Sequence, residues 1–216
     1  MKQNMNEQER KQLDLQVAEA EKRTGAQIVL AVVERSDVYA ELPWKAFALG
    51  AAAAGLAITV LDLLRPGWHS PAVVLLSVMA TLIAGAACAL VCVGLPGFAR
   101  LFLDAHRAEV EARQYAESLF LSREVFATRG RTGILMLVSL FERQIILLPD
   151  TGLSRRLGRE ASQGIITRMT PLLASGQVLN AFASGLAGLE EALGATVSAG
   201  AVENELPNGI IEEKGL

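Results

Sequence analysis

Side chains able to do chemistry are few in this chain and stand far apart. His69 and His106 are its two histidines, and neither has a Cys, Asp or Glu at the spacing of a zinc site, so both read as surface residues. Cys88 and Cys92 lie four apart in an apolar run, where they share a helix face as small packing residues rather than a redox pair. Arg129, Gly130, Arg131 and Gly133 could offer a phosphate cations and backbone amides, but no Walker pattern surrounds them, and a turn into a strand explains them. Ser139 and Ser162 lack a glycine elbow and a histidine at motif spacing, so no nucleophile is nominated. Asp62 is the one ionisable group inside a long apolar run, a functional candidate by default. It stands three residues before Arg65, however, which favours snorkelling to headgroups over transport or a proton relay.

The elements that would position such groups divide into a membrane part and a soluble part. Residues 46–64 and 72–95 are apolar runs separated by a turn from Arg65 to Pro71, and each has the length, about 20 residues, that crosses hydrocarbon. In lipid each run must satisfy its own backbone hydrogen bonds, so a helical hairpin over 46–95 is the expectation; two buried helices of a soluble core are the alternative. Arg65 is the lone Lys or Arg of the turn, whereas Arg35 and Lys45 precede the first run and Arg100, Arg107 and Arg113 follow the second. Retention of cations on the cytoplasmic side places both termini in the cytoplasm of a two-pass protein of the inner (cytoplasmic) membrane. The polar residues 1–10 lack the apolar core of a signal peptide. Trp44 and Trp68 flank the first run where indoles sit among headgroups. Gly50 with Ala54 and Gly85 with Ala89 give small-residue faces that could pack the hairpin on itself or join another membrane protein.

Outside the hairpin, 51% hydrophobic content and a net charge of -3 give no electrostatic footprint for nucleic acid. Residues 1–45 hold a charged amphipathic helix, Glu7 to Arg23, ended by Gly25, then a β-branched run, Gln27 to Val33, that reads as a strand buried on both faces. Residues 96–195 hold a helix over 101–128, with Ala108, Ala112, Tyr115, Ala116 and Leu119 on one face, and a hairpin of strands 134–139 and 144–148. Two helices over 153–174 and 177–193 follow. The first strand can pair parallel to residues 134–139, so the fold class is α/β: a small mixed sheet flanked by helices, with the two-helix transmembrane hairpin inserted in the crossover. Residues 196–216 read as a mobile C-terminal tail.

The run Thr24 to Val33, the run Arg131 to Leu153, and the downstream stretches 163–171 and 175–177 together resemble the TPM domain family. The likeness is closest to bacterial membrane-anchored members of unassigned function, some with a similar Asn-Glu-Leu-Pro segment near the end. It implies a small mixed sheet with flanking helices. Thylakoid relatives are associated with acid phosphatase activity, calcium binding and photosystem repair, and others with maintenance of membrane complexes. The resemblance makes acidic residues around the sheet edge the candidates for a metal, here Glu34, Asp37, Glu142 and Asp150, with calcium as the ion. Calcium needs several convergent oxygens. This chain departs from the pattern at Arg131, where many relatives carry an acid, and at Phe141, in a turn that often carries paired acids. The expectation is therefore a non-catalytic binding or membrane-complex maintenance module; a calcium-dependent phosphatase is the alternative, with no catalytic residue assignable.

Overall fold

The computed structural model describes residues 6–65, 70–194, 205–206 and 209–215. Two compact units emerge: residues up to Asp37 together with those from Ala108 onward, and the segment Val38–Arg107.

The first unit is built on a four-stranded sheet. Helix α1 (Glu7–Thr24) opens with Asn6, whose backbone N–H donates to Glu9 Oε2 at 2.8 Å, and ends at Gly25, whose positive φ of 73° lets its N–H reach back to the Glu21 carbonyl. Strand β1 (Gln27–Arg35) follows at once, buried through Val33. It pairs parallel with β2 (Gly133–Ser139), Gln27 opposite Gly133 and Val33 opposite Ser139, and β2 pairs antiparallel with β3 (Gln144–Pro149). The expected parallel pair and hairpin are therefore present.

Strict alternation along these strands divides the core in two. Ile28, Leu30 and Val32 of β1, with Ile134, Met136 and Val138 of β2, face a layer of helices carrying Leu13, Val17, Met169, Phe182 and Leu189. Val29, Ala31, Val33, Leu135 and Leu137 face the opposite way, onto Ala112, Ala116 and Leu119 of the helix that leads into β2. A sheet covered on both faces explains why β1 and β2 read as unbroken apolar runs.

Helix limits depart from expectation where local caps intervene. The helix over 101–128 becomes α5 (Ala105–Ser122): the Asp104 side chain accepts from the Arg107 N–H at its start, and Glu124, at a φ of 51°, turns the chain into a short 3-10 turn at its end. The helix over 153–174 splits into a single turn, α6 (Thr151–Ser154), and α7 (Arg159–Ala174), because Gly158 is extended between them. Helix α8 (Val178–Leu193) lies within its expected range.

The mobile tail expected from residue 196 needs correction at its end. Residues 211–215 form a fourth strand, β4, parallel to β1 on the edge opposite β3, with Ala31 opposite Ile211 and Arg35 opposite Gly215. Polar composition hid this strand because an edge strand keeps one row of side chains in water. Leu206, upstream of it, is buried in the second core cluster.

The second unit contains two long apolar helices, α2 (Glu41–Leu64) and α3 (Pro71–Gly94), and a short turn of helix, α4 (Pro96–Ala99). Both long helices are sufficiently long and apolar to cross a membrane, and only 6% of the residues in the most apolar window of each is buried within the protein. They pack as a hairpin through small residues: a Cβ on Gly50 would stand 2.7 Å from Cys88 Sγ, and one on Gly85 would stand 2.8 Å from the Phe47 ring. Gly50 and Gly85 thus serve the hairpin's own contact, and Cys92 is buried. Near the ends of the hairpin joined to the rest of the chain, Arg107 Nη1 lies 2.8 Å from Glu41 Oε1 and Lys45 Nζ donates to the Phe102 carbonyl at 3.2 Å. Trp68 and His69 lie outside the described residues; Trp44 is exposed.

Leu135 is fully buried at the centre of the sheet. Replacing it by Ala is expected to cost about 2 to 5 kcal/mol, read as a lower denaturant midpoint of the detergent-solubilised protein; an unchanged midpoint would contradict the central position of β2.

Candidate functional site

The acids singled out above sit at two opposite ends of the sheet, because β2 and β3 run antiparallel: Glu142 lies in their connecting turn and Asp150 at the far end of β3. At the first end, Leu140 and Phe141 donate backbone N–H groups to the carbonyls of Val33 and Glu34, fastening the turn to the end of β1. Glu142, buried, accepts at Oε1 from the Ser36 N–H at 2.8 Å and at Oε2 from the Ser139 hydroxyl. Ser36 Oγ and Ser139 Oγ are 3.1 Å apart, so both carboxylate oxygens and two hydroxyls close one buried network. Arg35 covers Phe141, its guanidinium carbon 4.2 Å from the ring centre. Glu34 is exposed and Asp37 half-exposed beside this network.

At the second end the chain makes a tight double turn. The Asp150 N–H donates to the Gly133 carbonyl, and Gly152 N–H to the Arg131 carbonyl at 3.0 Å. A Cβ on Gly133 would fall 2.0 Å from the Val125 carbonyl oxygen, and one on Gly152 would fall 2.4 Å from that of Gly130. Glycine is required at both places by the closeness of the backbones. Asp150, 5% exposed, caps the following turn by accepting from the Thr151 N–H at 2.6 Å. Its other oxygen, Oδ2, lies 2.9 Å from Arg131 Nε. That oxygen lacks a well-directed hydrogen bond, so the guanidinium acts through its charge, and a buried carboxylate is neutralised by a residue of its own chain. Arg131 also lies over the Phe126 ring, 5.7 Å from its centre.

These residues do not fit a calcium ion. Six to eight oxygens are needed, and among the described residues no group of three or more His, Cys, Asp or Glu side chains comes together as a metal site. Glu142 and Asp150 face separate ends of the sheet, and both are bonded to backbone. His106 is exposed on α5, and Ser139 is enclosed with Glu142 rather than presented to a cleft. Asp62, with Thr59 and Ser77, lines a cleft of 470 Å³ between the two long helices.

A third constellation, absent from the sequence reading, surrounds β4. Tyr115 donates its hydroxyl to Glu213 Oε2 at 2.5 Å, and Arg123 donates Nη2 to Glu213 Oε1 at 2.9 Å. Hydrogen bonds from Tyr115 and Arg123 hold the Glu213 carboxyl below its usual range, while burial and that same bond push the Tyr115 hydroxyl up. Glu212 pairs with Arg10 of α1 at 2.5 Å. Gln27 Oε1 accepts from the N–H groups of Glu205 and Leu206, and the Glu205 carboxylate accepts from the Arg129 N–H at 2.8 Å. The adjacent β-branched pair Ile210-Ile211 was the available signal, outweighed by the surrounding charges.

Comparison with known proteins agrees with this frame. The family model described as TPM domain matches residues 102–192, the stretch that carries α5, β2, β3 and the helices through α8. The NMR structure of the BA42 protein from the psychrophilic bacterium Bizionia argentinensis is similar to the chain, with a TM-score of 0.56 and 12% identity over 98% of this chain and 97% of that one. At that identity the likeness concerns the fold alone. No curated protein matches. The glycines that permit the close turns at 133 and 152, and the hairpin between them, lie inside the matched stretch: residues 102–192 of this chain carry a TPM domain.

Proposed function

We propose that this protein is a membrane-anchored TPM module that binds a partner or supports a membrane complex, without catalysis of its own. The observation that carries the reading is the employment of its buried acids. Glu142 holds the end of β1 to the β2–β3 turn, and Asp150 caps a helical turn while paired with Arg131. Carboxylates already engaged by backbone donors and, for Asp150, by the charge of Arg131 leave few oxygens free to ligate a cation. A calcium-dependent phosphatase would need those same groups released and brought together.

The apolar α2–α3 hairpin is the anchor in this reading, with the bilayer as its surroundings and the TPM unit on the cytoplasmic side of the inner membrane. The cations Arg35, Lys45, Arg100 and Arg107 beside the hairpin ends support that orientation. A membrane partner would meet the helix surfaces left outward by the Gly50 and Gly85 contacts, with the half-buried Ala54 and Ala89 beside them.

Three outcomes are expected. In a chain carrying Cys88→Ala and Cys92→Ala, an impermeant thiol reagent applied to intact cells labels a cysteine placed at Ser70 and not one placed at Ser162; labelling at 162 alone would reverse the orientation. The purified full-length protein releases no phosphate from an aryl phosphate ester with or without calcium, and calcium leaves its thermal midpoint unchanged, since a ligand stabilises a fold only by preferring the native state. Calcium-dependent release, or a calcium-dependent rise in the midpoint, would favour the phosphatase. Glu142→Ala costs about 1 to 3 kcal/mol by stranding the buried Ser36 N–H, whereas a change in metal response with no loss of stability would assign Glu142 to a site.

A further inference from the structure

We propose that the outer edge of β1, with Arg10, Tyr115 and Arg123 around it, is a groove that recognises an extended acidic segment of a partner protein, and that residues 211–215 occupy it as a tethered resident. The proposal rests on the binding-module reading and gives it a surface and a ligand chemistry.

Strand β4 resembles a docked peptide more than an integral member of the sheet. Parallel strands are ordinarily covered on both faces, yet β4 alternates half-buried and exposed residues, and Ile211 is its contribution to the core. Its hold on the domain is chiefly polar. The backbone pairs with β1 from Ala31 to Arg35, which supplies affinity without sequence preference, as in peptides that add a strand to a sheet edge.

Preference comes from the side chains and backbone around that edge. Glu212 is met by Arg10 of α1, and Glu213 by Tyr115 of α5 and Arg123 just past its end, so adjacent carboxylates are read by donors on opposite sides of the strand. Gly215 has a φ of 78°, and a Cβ there would fall 1.6 Å from the Arg35 carbonyl oxygen. The groove therefore selects β-branched, Glu, Glu, any residue, Gly. Beyond Glu213 a polar cavity of 300 Å³, lined also by Ser118 and Ser122, remains beside the clamp. A partner segment has space there that the resident does not fill.

Tethering governs access to the groove. A strand joined to its own domain by a short connection competes at an effective concentration on the order of millimolar, so a foreign segment gains the edge only when it binds better or is presented by a neighbour in the same membrane.

The test cuts the tether after folding. A specific protease site is inserted between residues 198 and 199 of the full-length protein in detergent, and a fluorescent peptide with the sequence of residues 203–216 is added before and after cleavage. The cleaved protein is expected to take up the peptide saturably, and the uncut protein not to. Peptides bearing Glu213→Gln or Gly215→Ala, and proteins bearing Arg123→Ala, should bind about tenfold or more weakly, the loss expected for a charge-assisted contact or a forbidden Cβ. Tyr115→Phe gives a variant that keeps the ring, and should weaken the acidic peptide while leaving the Glu213→Gln peptide unaffected. No uptake after cleavage would make β4 a permanent strand and overturn the proposal. Equal uptake of the Gln peptide would overturn the carboxylate recognition. Dimers of uncut chains that exchange their own strands would assign the groove to a second copy instead. Hydrolysis of a phosphate ester with strand exchange intact would sink the non-catalytic reading alone, so the two ideas fail by separate results.

Discussion

Pairing of β1 with β2 is the contact on which the remaining architecture depends. The two strands are joined in parallel, Gln27 to Gly133 at one end and Val33 to Ser139 at the other, although the connection between them contains the whole apolar hairpin and α5. Closing so long a loop costs entropy that grows only slowly with its length, and the pair repays it by burying both faces of both strands. The long excursion is tolerable for that reason. Once β1 and β2 are in register, alternation places Ile28, Leu30 and Val32 on one helical layer and Val29, Ala31 and Val33 on the other. A slip of one residue would exchange the two sets.

Polar side chains enforce that register at each end of β1. Glu21, buried at the end of α1, accepts from the Ile28 N–H at 2.8 Å, and Glu142 accepts from the Ser36 N–H just beyond the strand. Gln27 uses its side-chain oxygen on the backbone of Glu205 and Leu206. Buried acids and amides here serve as acceptors for backbone donors that β pairing leaves over. Such donors cost free energy if left dry, so these side chains carry a structural task strong enough to account for their burial without invoking a metal. Arg131 extends the same economy: its guanidinium supplies beside Asp150 the positive charge that a cation would otherwise bring.

The two edges of the sheet are treated differently. β3 ends at Pro149, which removes a donor from an otherwise free edge and leads straight into the Asp150 cap. The edge of β1 is covered by β4, held by carboxylates rather than by an apolar face. An edge closed by a few polar bonds opens at lower cost than the core behind it, which makes this edge the natural place for exchange with another chain.

Much of this was legible in the residues themselves. The span lengths, the strand at Gln27 to Val33, the hairpin after Gly133 and the stripes of α1, α5 and α8 follow from hydrophobic periodicity, a local property that survives in one dimension. Gly25 announced its cap for the same reason. What the tertiary structure alone decided is who meets whom. Glu34, Asp37, Glu142 and Asp150 look alike in sequence, yet antiparallel pairing sends Asp150 to the opposite end of the sheet, and burial turns Glu142 into a backbone acceptor. The terminal strand was hidden most completely: Glu212 and Glu213 read as solvated charges until Arg10, 202 residues away, and Tyr115 and Arg123, 98 and 90 residues away, are brought against them. A charge reveals its role through its partner, and sequence separation carries no record of that partner.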